Sequence, residues 1–324
     1  MSTYYVAWWN LENLFDVNNA PDRPAWLQAE LNRELQGWTK TVRDRKIRQL
    51  SSIICRLNGG VGPDLLGVCE VENKTVMELL VQSLGPLGRA YRVAHHDASD
   101  LRGIDVGFIY DSALFTAEEE FFHVIQKRTA TRDLYQVNFR TTAGNLLIAI
   151  GNHWPSRSGG EWESEPYRIM AAETLAYWHE RITEIVGTDA SVLVMGDFND
   201  EPFNRSMTNY ALSGNIRTKV TMARTPRFLN LMWPFLGEAI GTHYFENFPN
   251  VLDQVLVSKG LLTGGSGLTV RASVDGSYPV AIERFPEMTA SGAYPSPIRF
   301  GRPSSGYNPD GYSDHFPISV SVTE

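Results

Sequence analysis

The apolar residues of this chain follow two spacings, one typical of helices and one typical of strands. In residues 40–57 and 166–186 they recur every three or four positions, which places them on one face of an amphipathic helix. A third helix is predicted to begin after Asn73, a favourable N-cap residue, and to continue through Leu84. These segments predict helices that pack one side against a core.

Short apolar and β-branched runs, bounded by turn-forming residues, predict strands. In chain order they cover residues 4–9, 65–69, 91–95, 104–110, 120–125, 134–139, 146–151, 191–195, 252–257 and 316–322. Strands and a few helices are mixed, so the fold class is α+β or α/β. Several strands are apolar at almost every position, which fits two sheets packed face to face with helices outside. The chain shows no repeat and no long linker, so we expect residues 1–324 to form a single domain.

The charge balance limits the possible partners. The chain has 324 residues and a formal net charge of −8. This balance argues against broad electrostatic capture of nucleic acid, which requires clustered Lys and Arg residues, but it is compatible with a local basic groove. Two basic runs occur, at 40–48 and 217–227. We interpret the first as a solvated helix face and the second as a loop.

The two cysteines, Cys55 and Cys69, are too few for a disulfide framework, and both are predicted to be small buried apolar side chains. The N-terminal residues show neither the basic nor the apolar segment of a signal peptide, as would also be true once a signal had been removed. No stretch of about 18 uninterrupted apolar residues is present, so no membrane span is expected. We therefore expect a cytoplasmic protein that acts as a monomer.

Polar side chains stand at or near the ends of the apolar strands. In chain order they are Asn10 and Glu12, Glu70, Asn152 and His153, Asp197 and Asn199, Asp253, and Asp314 with His315. Burying one such group costs several kcal/mol unless it is paired or bound to a cation. The recurrence of this pattern along one chain predicts that these residues converge on one site.

The types of these residues narrow the chemistry. Carboxylate and amide oxygens are hard ligands that suit Mg²⁺, Mn²⁺ or Ca²⁺. Cysteine is absent from the set and the histidines are few, which disfavours a structural zinc site. Since Mg²⁺ usually takes only one or two protein carboxylates, the remaining Asp, Asn and His groups are free for proton transfer and charge stabilisation. This combination suits the attack of water on a phosphate ester.

Taken singly, each motif also has an ordinary structural interpretation. Gly196-Asp197-Phe198-Asn199 and Ser313-Asp314-His315 are compatible with turns, since Asp and Ser commonly turn or cap a chain. His153 can be a hydrogen-bonded structural histidine, and Glu70 can be a surface residue beyond a strand. The ordered set, rather than any one motif, favours a site.

Together the motifs resemble those of the endonuclease/exonuclease/phosphatase superfamily, which includes pancreatic-type deoxyribonuclease, apurinic endonucleases, inositol polyphosphate 5-phosphatases and neutral sphingomyelinases. The motifs are Trp9-Asn10-Leu11-Glu12-Asn13, Val68-Cys69-Glu70-Val71, Asn152-His153-Trp154-Pro155-Ser156, Gly196-Asp197-Phe198-Asn199, Leu252-Asp253-Gln254-Val255-Leu256-Val257-Ser258 and Ser313-Asp314-His315. They stand in the family's order and span nearly the whole chain, and the opening motif is similar to that of bacterial members. The resemblance implies an α+β fold, a four-layer α/β/β/α sandwich of two packed mixed β-sheets as in deoxyribonuclease I, with the site at one edge of the sheets.

The resemblance also implies ligands for a metal ion and for the phosphate. Asn10, Glu70 and Asp314 would bind Mg²⁺ or Mn²⁺, with Glu70 as the principal carboxylate. His153 and His315 would stabilise charge on the phosphate.

The remaining roles concern the attacking water. Asp197 would orient or deprotonate this water, and Asn199 would hold a phosphate oxygen. Asp253 would be the partner of His315. The resemblance leaves open whether His315 or Asp197 is the formal base.

Three polar residues have open interpretations. Glu12 departs from the family pattern, in which many members carry a shorter side chain at this place. Arg157 can reach a phosphate oxygen as a fork donor or be solvated at the surface. Asp105 lies inside a predicted strand and is interpreted as structural.

Two further features adjoin the predicted site. Arg168 can face the site from its helix, but pairing with Glu163 or Glu165 is the simpler interpretation. Residues 284–312 are rich in Pro, Gly and Ser and directly precede Ser313. We expect this long loop to form a wall of the site.

The leading functional interpretation is a divalent-metal-dependent phosphodiesterase that acts on nucleic acid, that is, a nuclease. The alternative keeps the chemistry and changes the substrate to a small phosphate ester, as in a phosphatase or a phospholipase-C-like hydrolase of a phospholipid headgroup or phosphosugar. The acidic charge balance favours this alternative. A non-catalytic scaffold of the same fold is disfavoured, because none of the expected ligands has been lost.

Overall fold

Two mixed β-sheets lie face to face, and helices cover their outer sides. The computed structural model describes residues 2–21 and 23–324. Its strands are β1 (Thr3–Leu14), β2 (Leu65–Val71), β3 (Tyr91–His95), β4 (Asp105–Asp111), β5 (Phe115–His123), β6 (Leu134–Thr141), β7 (Leu146–His153), β8 (Ser191–Asp197), β9 (Ser213–Gly214), β10 (Phe228–Asn230), β11 (His243–Phe245), β12 (Phe248–Asn250), β13 (Asp253–Val257), β14 (Val280–Ile282) and β15 (Ile318–Thr323). Its α-helices are α1 (Ala25–Leu31), α2 (Lys40–Ile54), α3 (Lys74–Ser83), α4 (Glu161–Val186), α5 (Arg217–Thr221) and α6 (Lys259–Thr263).

The strand order confirms the predicted pair of mixed sheets. The first sheet has six strands in the order β14-β15-β1-β2-β4-β3, and the second has seven in the order β5-β6-β7-β8-β13-β10-β9. β1 and β2 are parallel, as are β7 and β8, whereas β15 and β13 run antiparallel to their neighbours β1 and β8. β11 and β12 form a separate hairpin.

The alternation of side chains along β1 separates two apolar layers, because successive side chains of a strand point to opposite faces. Val6 and Trp8 point into the core between the sheets, whereas Ala7 and Trp9 point into the layer beneath α2 and α3. α4 covers the outer side of the second sheet through a third apolar cluster. The layers are therefore helix, sheet, sheet and helix, as the resemblance implies.

Trp8 fills the inter-sheet core opposite two glycines. A Cβ atom on Gly67 would lie 2.5 Å from the Trp8 ring, and one on Gly151 would lie 3.2 Å from it. Glycine in a strand commonly marks such a close approach. The space allows the Trp8 indole to reach Asp253, to which its Nε1 donates a hydrogen bond of 3.2 Å.

Several strands extend further than their apolar runs predict, including β2, which continues to Val71. β1 continues to Leu14, β7 to His153 and β8 to Asp197. Backbone pairing does not depend on the polarity of the side chains, so it continues past the last apolar residue. The polar residues expected beyond these strands therefore lie on the strands themselves. The short elements α1, α5, α6, β9 to β12 and β14 were not predicted, since each is too short to show a period.

α4 begins at Glu161, five residues before its predicted start at Pro166. The sequence predicts a helix there from the apolar face formed by Ile169, Ala172, Leu175 and later residues. In the structure the helix is already established by the backbone bond from Ser164 N to Gly160 O, at 3.1 Å. The N-cap of α3 is as predicted, because the Asn73 side chain accepts a bond of 2.9 Å from Val76 N.

The interpretation of residues 40–48 as a solvated helix face is wrong at two positions. Arg43 and Lys46 are buried, with 7% and 0% of their surface exposed. Arg43 pairs with Asp16 at 2.7 Å, and Lys46 Nζ donates to the backbone carbonyl of Glu12. Their long aliphatic stems allow such residues to cross an apolar layer while the charge finds a partner.

Both cysteines are free thiols. Cys69 is buried as predicted, whereas Cys55 is only partly buried. Within residues 2–21 and 23–324, none of the helices is long and apolar enough to cross a membrane.

Candidate active site

The pairing register of three strands brings three of the predicted residues side by side. In the parallel pair β7–β8, His153 lies opposite Asp197, and in the antiparallel pair β8–β13, Asp253 lies opposite Asp197. Directly opposite residues in neighbouring strands have Cβ atoms about 5 Å apart. His153, Asp197 and Asp253 therefore form one row across the second sheet.

This row continues the inner apolar face of the sheet. Leu147 and Ala149 of β7, and Leu193 and Met195 of β8, point into the core between the sheets. Since side chains two apart share a face, Asp197 points the same way. The site is thus the polar end of the inter-sheet core.

Non-glycine residues at these strand ends adopt left-handed backbone conformations. The φ angles are 51° at Glu12, 60° at Asn13, 61° at Glu70 and 51° at Asn199. Such conformations cost of order 1 kcal/mol each and often occur at functional sites. In β1 and β2 they coincide with irregularities in the strand register, between Asn10 and Leu14 and between Cys69 and Val71.

Asp197 stands at the centre of the site. Its Oδ1 accepts a bond of 2.9 Å from Asn199 N, and its Oδ2 accepts one of 3.1 Å from Asn10 Nδ2. The same Oδ2 lies 3.8 Å from His153 Nε2 and 3.9 Å from His315 Nε2. Burial raises the pKa of Asp197 to about 7, against the opposing charge of His315. This carboxyl can therefore exchange a proton near neutral pH.

His315 is held by Asp253. His315 Nδ1 lies 2.7 Å from Asp253 Oδ2, and the backbone carbonyl of His315 accepts a bond of 2.8 Å from Trp9 Nε1. Burial disfavours the charged imidazole, but the carboxylates of Asp253 and Asp197 outweigh it and raise the pKa of His315 well above its usual value. These carboxylates therefore favour the protonated form of His315, whose Nε2 faces the site.

His153 has the opposite electrostatic setting. Burial, together with the charges of Arg132 and Arg102, lowers its pKa well below the usual value. Arg132 donates to the backbone carbonyls of His153 and Trp154 at 3.3 and 3.1 Å, and it pairs with Asp100 at 3.0 Å. His153 is therefore a neutral imidazole on a backbone that Arg132 fixes.

Two carboxylates at the site have no hydrogen-bond donor among the residues that the structure describes. Glu70 lies with one oxygen 3.7 Å from His153 Nε2, and Asp314 lies with one oxygen 3.9 Å from His315 Nε2. Their side chains are 13% and 32% exposed. Carboxylates left without donors in a largely buried setting fit a hard divalent cation.

Asn10, the third predicted metal ligand, contacts both Asp197 and its own turn. Besides its bond to Asp197, its Oδ1 accepts a bond of 2.9 Å from Glu12 N. An amide oxygen has two lone pairs, so one remains for a cation. Asn10 and Asp253 lie behind the residues that line the cavity.

Asn199 and Arg157 face the site beside Asp197. Asn199 Nδ2 donates to the Trp154 carbonyl at 3.0 Å and keeps a second hydrogen. Arg157 is neither a free fork donor nor fully solvated, because it donates to the Asn199 carbonyl at 2.7 Å and pairs with Asp200 at 3.1 Å. It supports the turn that carries Asn199.

Arg168 does not take the partner expected from sequence. Its side chain is 1% exposed, and its Nε lies 2.8 Å from Asp200 Oδ1 instead of pairing with Glu163 or Glu165. Sequence spacing can indicate partners on the same helix, but it gives no indication of Asp200, which belongs to the loop after β8. Arg168 and Arg157 thus meet at the same buried carboxylate.

Glu12, which departs from the family pattern, forms hydrogen bonds with the loop at residues 299–301. Its carboxylate accepts bonds from the backbone N–H groups of Phe300 and Gly301 at 2.8 and 3.1 Å, and from Arg299 Nε at 3.1 Å. Burial raises the pKa of Glu12 and lowers that of Lys46 behind it. Glu12 therefore links the end of β1 to the loop that leads to Asp314.

A cavity of about 540 Å³ opens at this end of the sheets. Its lining residues are Glu70, Arg102, His153, Ser156, Arg157, Ser158, Gly160, Glu161, Asp197, Asn199, His243, Phe245, Asn250, Leu252, Asp314 and His315. The expectation that residues 284–312 form its wall is wrong, because none of them lines it. The hairpin β11–β12 and the loop after β7 form the wall instead.

Sequence reasoning missed several residues of the site. Arg102 lines the cavity, and Arg132 lies beneath His153. His243 pairs with His315 in an isolated β-bridge, with ring centroids 4.7 Å apart, and burial lowers its pKa to about 3. Each belongs to a loop or a very short strand without a recognisable motif, so the sequence offered no signal that these residues reach the site.

The family of the chain follows from a comparison with protein families. Residues 5–324 match the family described as "Endonuclease/Exonuclease/phosphatase family". The chain belongs to this family. Its members are phosphoesterase hydrolases, which agrees with the ordered motifs and with the residues gathered around Asp197. No curated protein matches the sequence significantly.

Solved structures of the same fold extend over the whole chain. A humanized TDP2 from D. rerio with 14 mutations has a TM-score of 0.59 and 15% identity, covering 100% of both chains. A mannosyl-6-phosphatase from Bacteroides thetaiotaomicron has a TM-score of 0.57 and 15% identity, covering 99% of this chain and 100% of its own. The catalytic domain of human Nocturnin has a TM-score of 0.55 and 16% identity, covering 99% and 94%. At these identities the likeness concerns the fold.

Proposed function

We propose that this protein is a divalent-metal-dependent phosphoesterase that hydrolyses its substrate by direct attack of water. One arrangement carries the proposal. A single carboxylate oxygen of Asp197 lies within 3.9 Å of Nε2 of both His153 and His315. The donor-free carboxylates Glu70 and Asp314 line the same cavity. The cavity thus combines an acid–base group (Asp197), a hydrogen-bond donor that can carry positive charge (His315) and a site for a cation (Glu70 and Asp314).

Glu70 and Asp314 would hold Mg²⁺ or Mn²⁺, together with the free lone pair of Asn10 Oδ1. When bound, such a cation offsets the charge of the phosphate and makes a coordinated water more acidic. The oxygen-only donor set favours these hard cations over zinc.

Asp197 would accept the proton of the attacking water or orient that water. Its bonds from Asn199 N and Asn10 Nδ2 hold the carboxylate in one orientation. Burial raises the pKa of this carboxyl to about 7 without a cation, and a cation bound nearby would favour the ionised form that a general base requires.

His315, His153 and Asn199 would bind the phosphate oxygens. His315 supplies a positive charge that Asp253 maintains from behind, at 2.7 Å. His153 supplies a neutral imidazole, and Asn199 the second hydrogen of its amide. Preorganised donors of this kind stabilise charge that develops in the transition state.

The cavity supports a small phosphate ester as the first candidate substrate. Its volume of about 540 Å³ lies in the range of small-molecule pockets, about 300–1,000 Å³. The net charge of −8 gives no general attraction for nucleic acid. We therefore rank a small phosphate ester above nucleic acid, whereas the sequence analysis ranked a nuclease first. One neighbouring fold is by name a mannosyl-6-phosphatase, which agrees with this candidate.

Nucleic acid is the second candidate, and one observation favours it. Phe245 lines the cavity with 64% of its surface exposed, and Phe248 at the same hairpin is 72% exposed. Exposed aromatic rings beside a phosphate site can stack on unpaired bases. A terminal nucleotide, rather than a duplex, would fit such a cavity.

A substrate panel tests the proposal. Purified protein is assayed with a sugar phosphate, an inositol phosphate, sphingomyelin, a single-stranded oligonucleotide and plasmid, each with Mg²⁺, Mn²⁺ or EDTA. We expect EDTA-sensitive hydrolysis that Asp197→Asn lowers at least about 100-fold. Asp189→Asn, an exposed carboxylate before the opposite end of β8, is the matched control and should keep full activity. Activity that persists in EDTA or in Asp197→Asn would refute the assignment.

A further inference from the structure

A second group of metal-ligating side chains lies outside the cavity, where β3 ends and β4 begins. His95, Asp97 and Asp105 each offer one ligand atom, and these atoms lie within 4.8 Å of one another. We call these three residues the His95 cluster. None of them lines the cavity. Asp105 is paired with Val71 on the neighbouring strand β2, so the cluster lies beside the strand that carries Glu70 but outside the cavity.

The strand register explains why these residues meet. His95 pairs with Gly107 in the antiparallel pair β3–β4, and Asp105 stands two residues before Gly107. Diagonal neighbours on one face of an antiparallel pair are within reach of long side chains. Asp97 joins them from the loop that follows β3, and its side chain is 80% exposed.

The buried part of the cluster has one unsatisfied polar atom. The His95 side chain is 2% exposed, and its Nε2 has no hydrogen-bond partner in the described part of the chain. Asp105 Oδ1 accepts a bond of 3.0 Å from Ala98 N, but Asp105 Oδ2 lies 3.5 Å from His95 Nε2. That distance is longer than an ordinary hydrogen bond, about 2.7–3.2 Å.

The same distance suits two ligands of one metal ion. Ligand atoms at about 2.0–2.2 Å from a tetrahedral cation lie about 3.4 Å from each other. Asp97 Oδ1 lies closer to the other ring nitrogen, 3.8 Å from His95 Nδ1. One ion binds only one nitrogen of an imidazole, so the exposed Asp97 side chain would rotate to join Nε2 and Asp105, and ligand atoms of the three residues already lie within 4.8 Å of one another. One imidazole nitrogen and two carboxylates form a mixed donor set that favours Zn²⁺, Co²⁺ or Mn²⁺ over Mg²⁺.

We propose that the His95 cluster binds a divalent transition-metal ion that is separate from the catalytic cation. The ion would order the loop between β3 and β4. This loop carries Asp100, which pairs with the Arg132 side chain beneath His153, and Arg102, which lines the cavity. The ion therefore has a structural role that reaches the active site.

Binding of Co²⁺, measured by calorimetry and visible absorption, tests this proposal. We expect two ions per chain in the wild type and one in His95→Gln. His96→Gln is the matched control, since His96 stacks on Phe122 and faces Asp133 at 3.4 Å. One paramagnetically shifted imidazole N–H resonance, that of His95, should be present in the wild type and His96→Gln and be lost in His95→Gln.

Two further variants separate this site from the catalytic one and from simple misfolding. Glu70→Gln should lose the other ion and keep the imidazole resonance, so failure of the catalytic proposal leaves a distinct result. Asp97→Asn changes an exposed side chain, and should fold normally while binding the cluster ion at least about tenfold more weakly. Unchanged Co²⁺ affinity and number in Asp97→Asn and His95→Gln would overturn the proposal.

Discussion

Replacement of Asp253 by Asn tests whether the charge behind His315 matters for catalysis. Asp253 is fully buried, and its Oδ2 lies 2.7 Å from His315 Nδ1. This is the length of a charge-assisted hydrogen bond, which contributes about 1.5–3 kcal/mol. If the bond stabilises a cationic His315 in the transition state, kcat should fall roughly 10- to 150-fold. KM should change little, because the substrate contacts are retained.

The assay is steady-state hydrolysis of the best substrate from the panel at neutral pH, with folding checked by denaturation. Asp64→Asn is the matched control. Asp64 is also a buried carboxylate, paired with Arg89 at 2.6 Å, but it lies at the opposite end of β2 from Glu70. It should lose stability without loss of kcat. A kcat of Asp253→Asn within about twofold of wild type would refute the reasoning.

Three further predictions concern stability, metal binding and pH. Glu12→Ala leaves the N–H groups of Phe300 and Gly301 without their acceptor and should lower the free energy of unfolding by about 2–4 kcal/mol in urea denaturation; a change below about 1 kcal/mol would contradict this. Glu70→Gln should weaken Mg²⁺ or Mn²⁺ binding at least about tenfold by calorimetry, and unchanged affinity would remove Glu70 from the metal site. Burial lowers the pKa of His179 to about 3, so below pH 6.5 the unfolded chain binds a proton that the folded chain excludes. Stability should fall as the pH is lowered, by about 2–3 kcal/mol from this group between pH 7 and 4.5, and His179→Phe should abolish that part of the slope.

Much of the fold could be predicted because the main elements carry a period. The helix α2 was located by an apolar face that repeats every three to four positions, α3 by its N-cap residue Asn73, and the long strands by apolar runs bounded by turn-forming residues. Two elements differed from the prediction for reasons that the spacing of apolar residues does not show. The apolar face of the second predicted helix indicated a start at residue 166, whereas α4 begins at Glu161. The short hairpin β11–β12, which forms a wall of the cavity, has too few residues for any period.

Some features of the candidate site could likewise be predicted from the sequence, and others could not. His153, Asp197, Asp253 and His315 were identified as members of one set, and the structure brings them together. Lys46 was assigned to the wrong environment, because a charged residue on a helix face is usually solvated whereas this one is fully buried.

The sequence by itself determined which side chains are apolar along each strand and helix, and these form the apolar layers. It determined the polar residues that follow the apolar side chains at the ends of the strands. It also determined the order of motifs that identifies the family. These are local properties, readable from neighbours along the chain. The tertiary structure alone decided which groups meet across strands and loops: Asp253 with His315, Glu12 with the backbone at Phe300, and His95 with Asp105. Such partners depend on pairing register and loop paths, and burial then sets their pKa values and leaves Glu70 and Asp314 without donors.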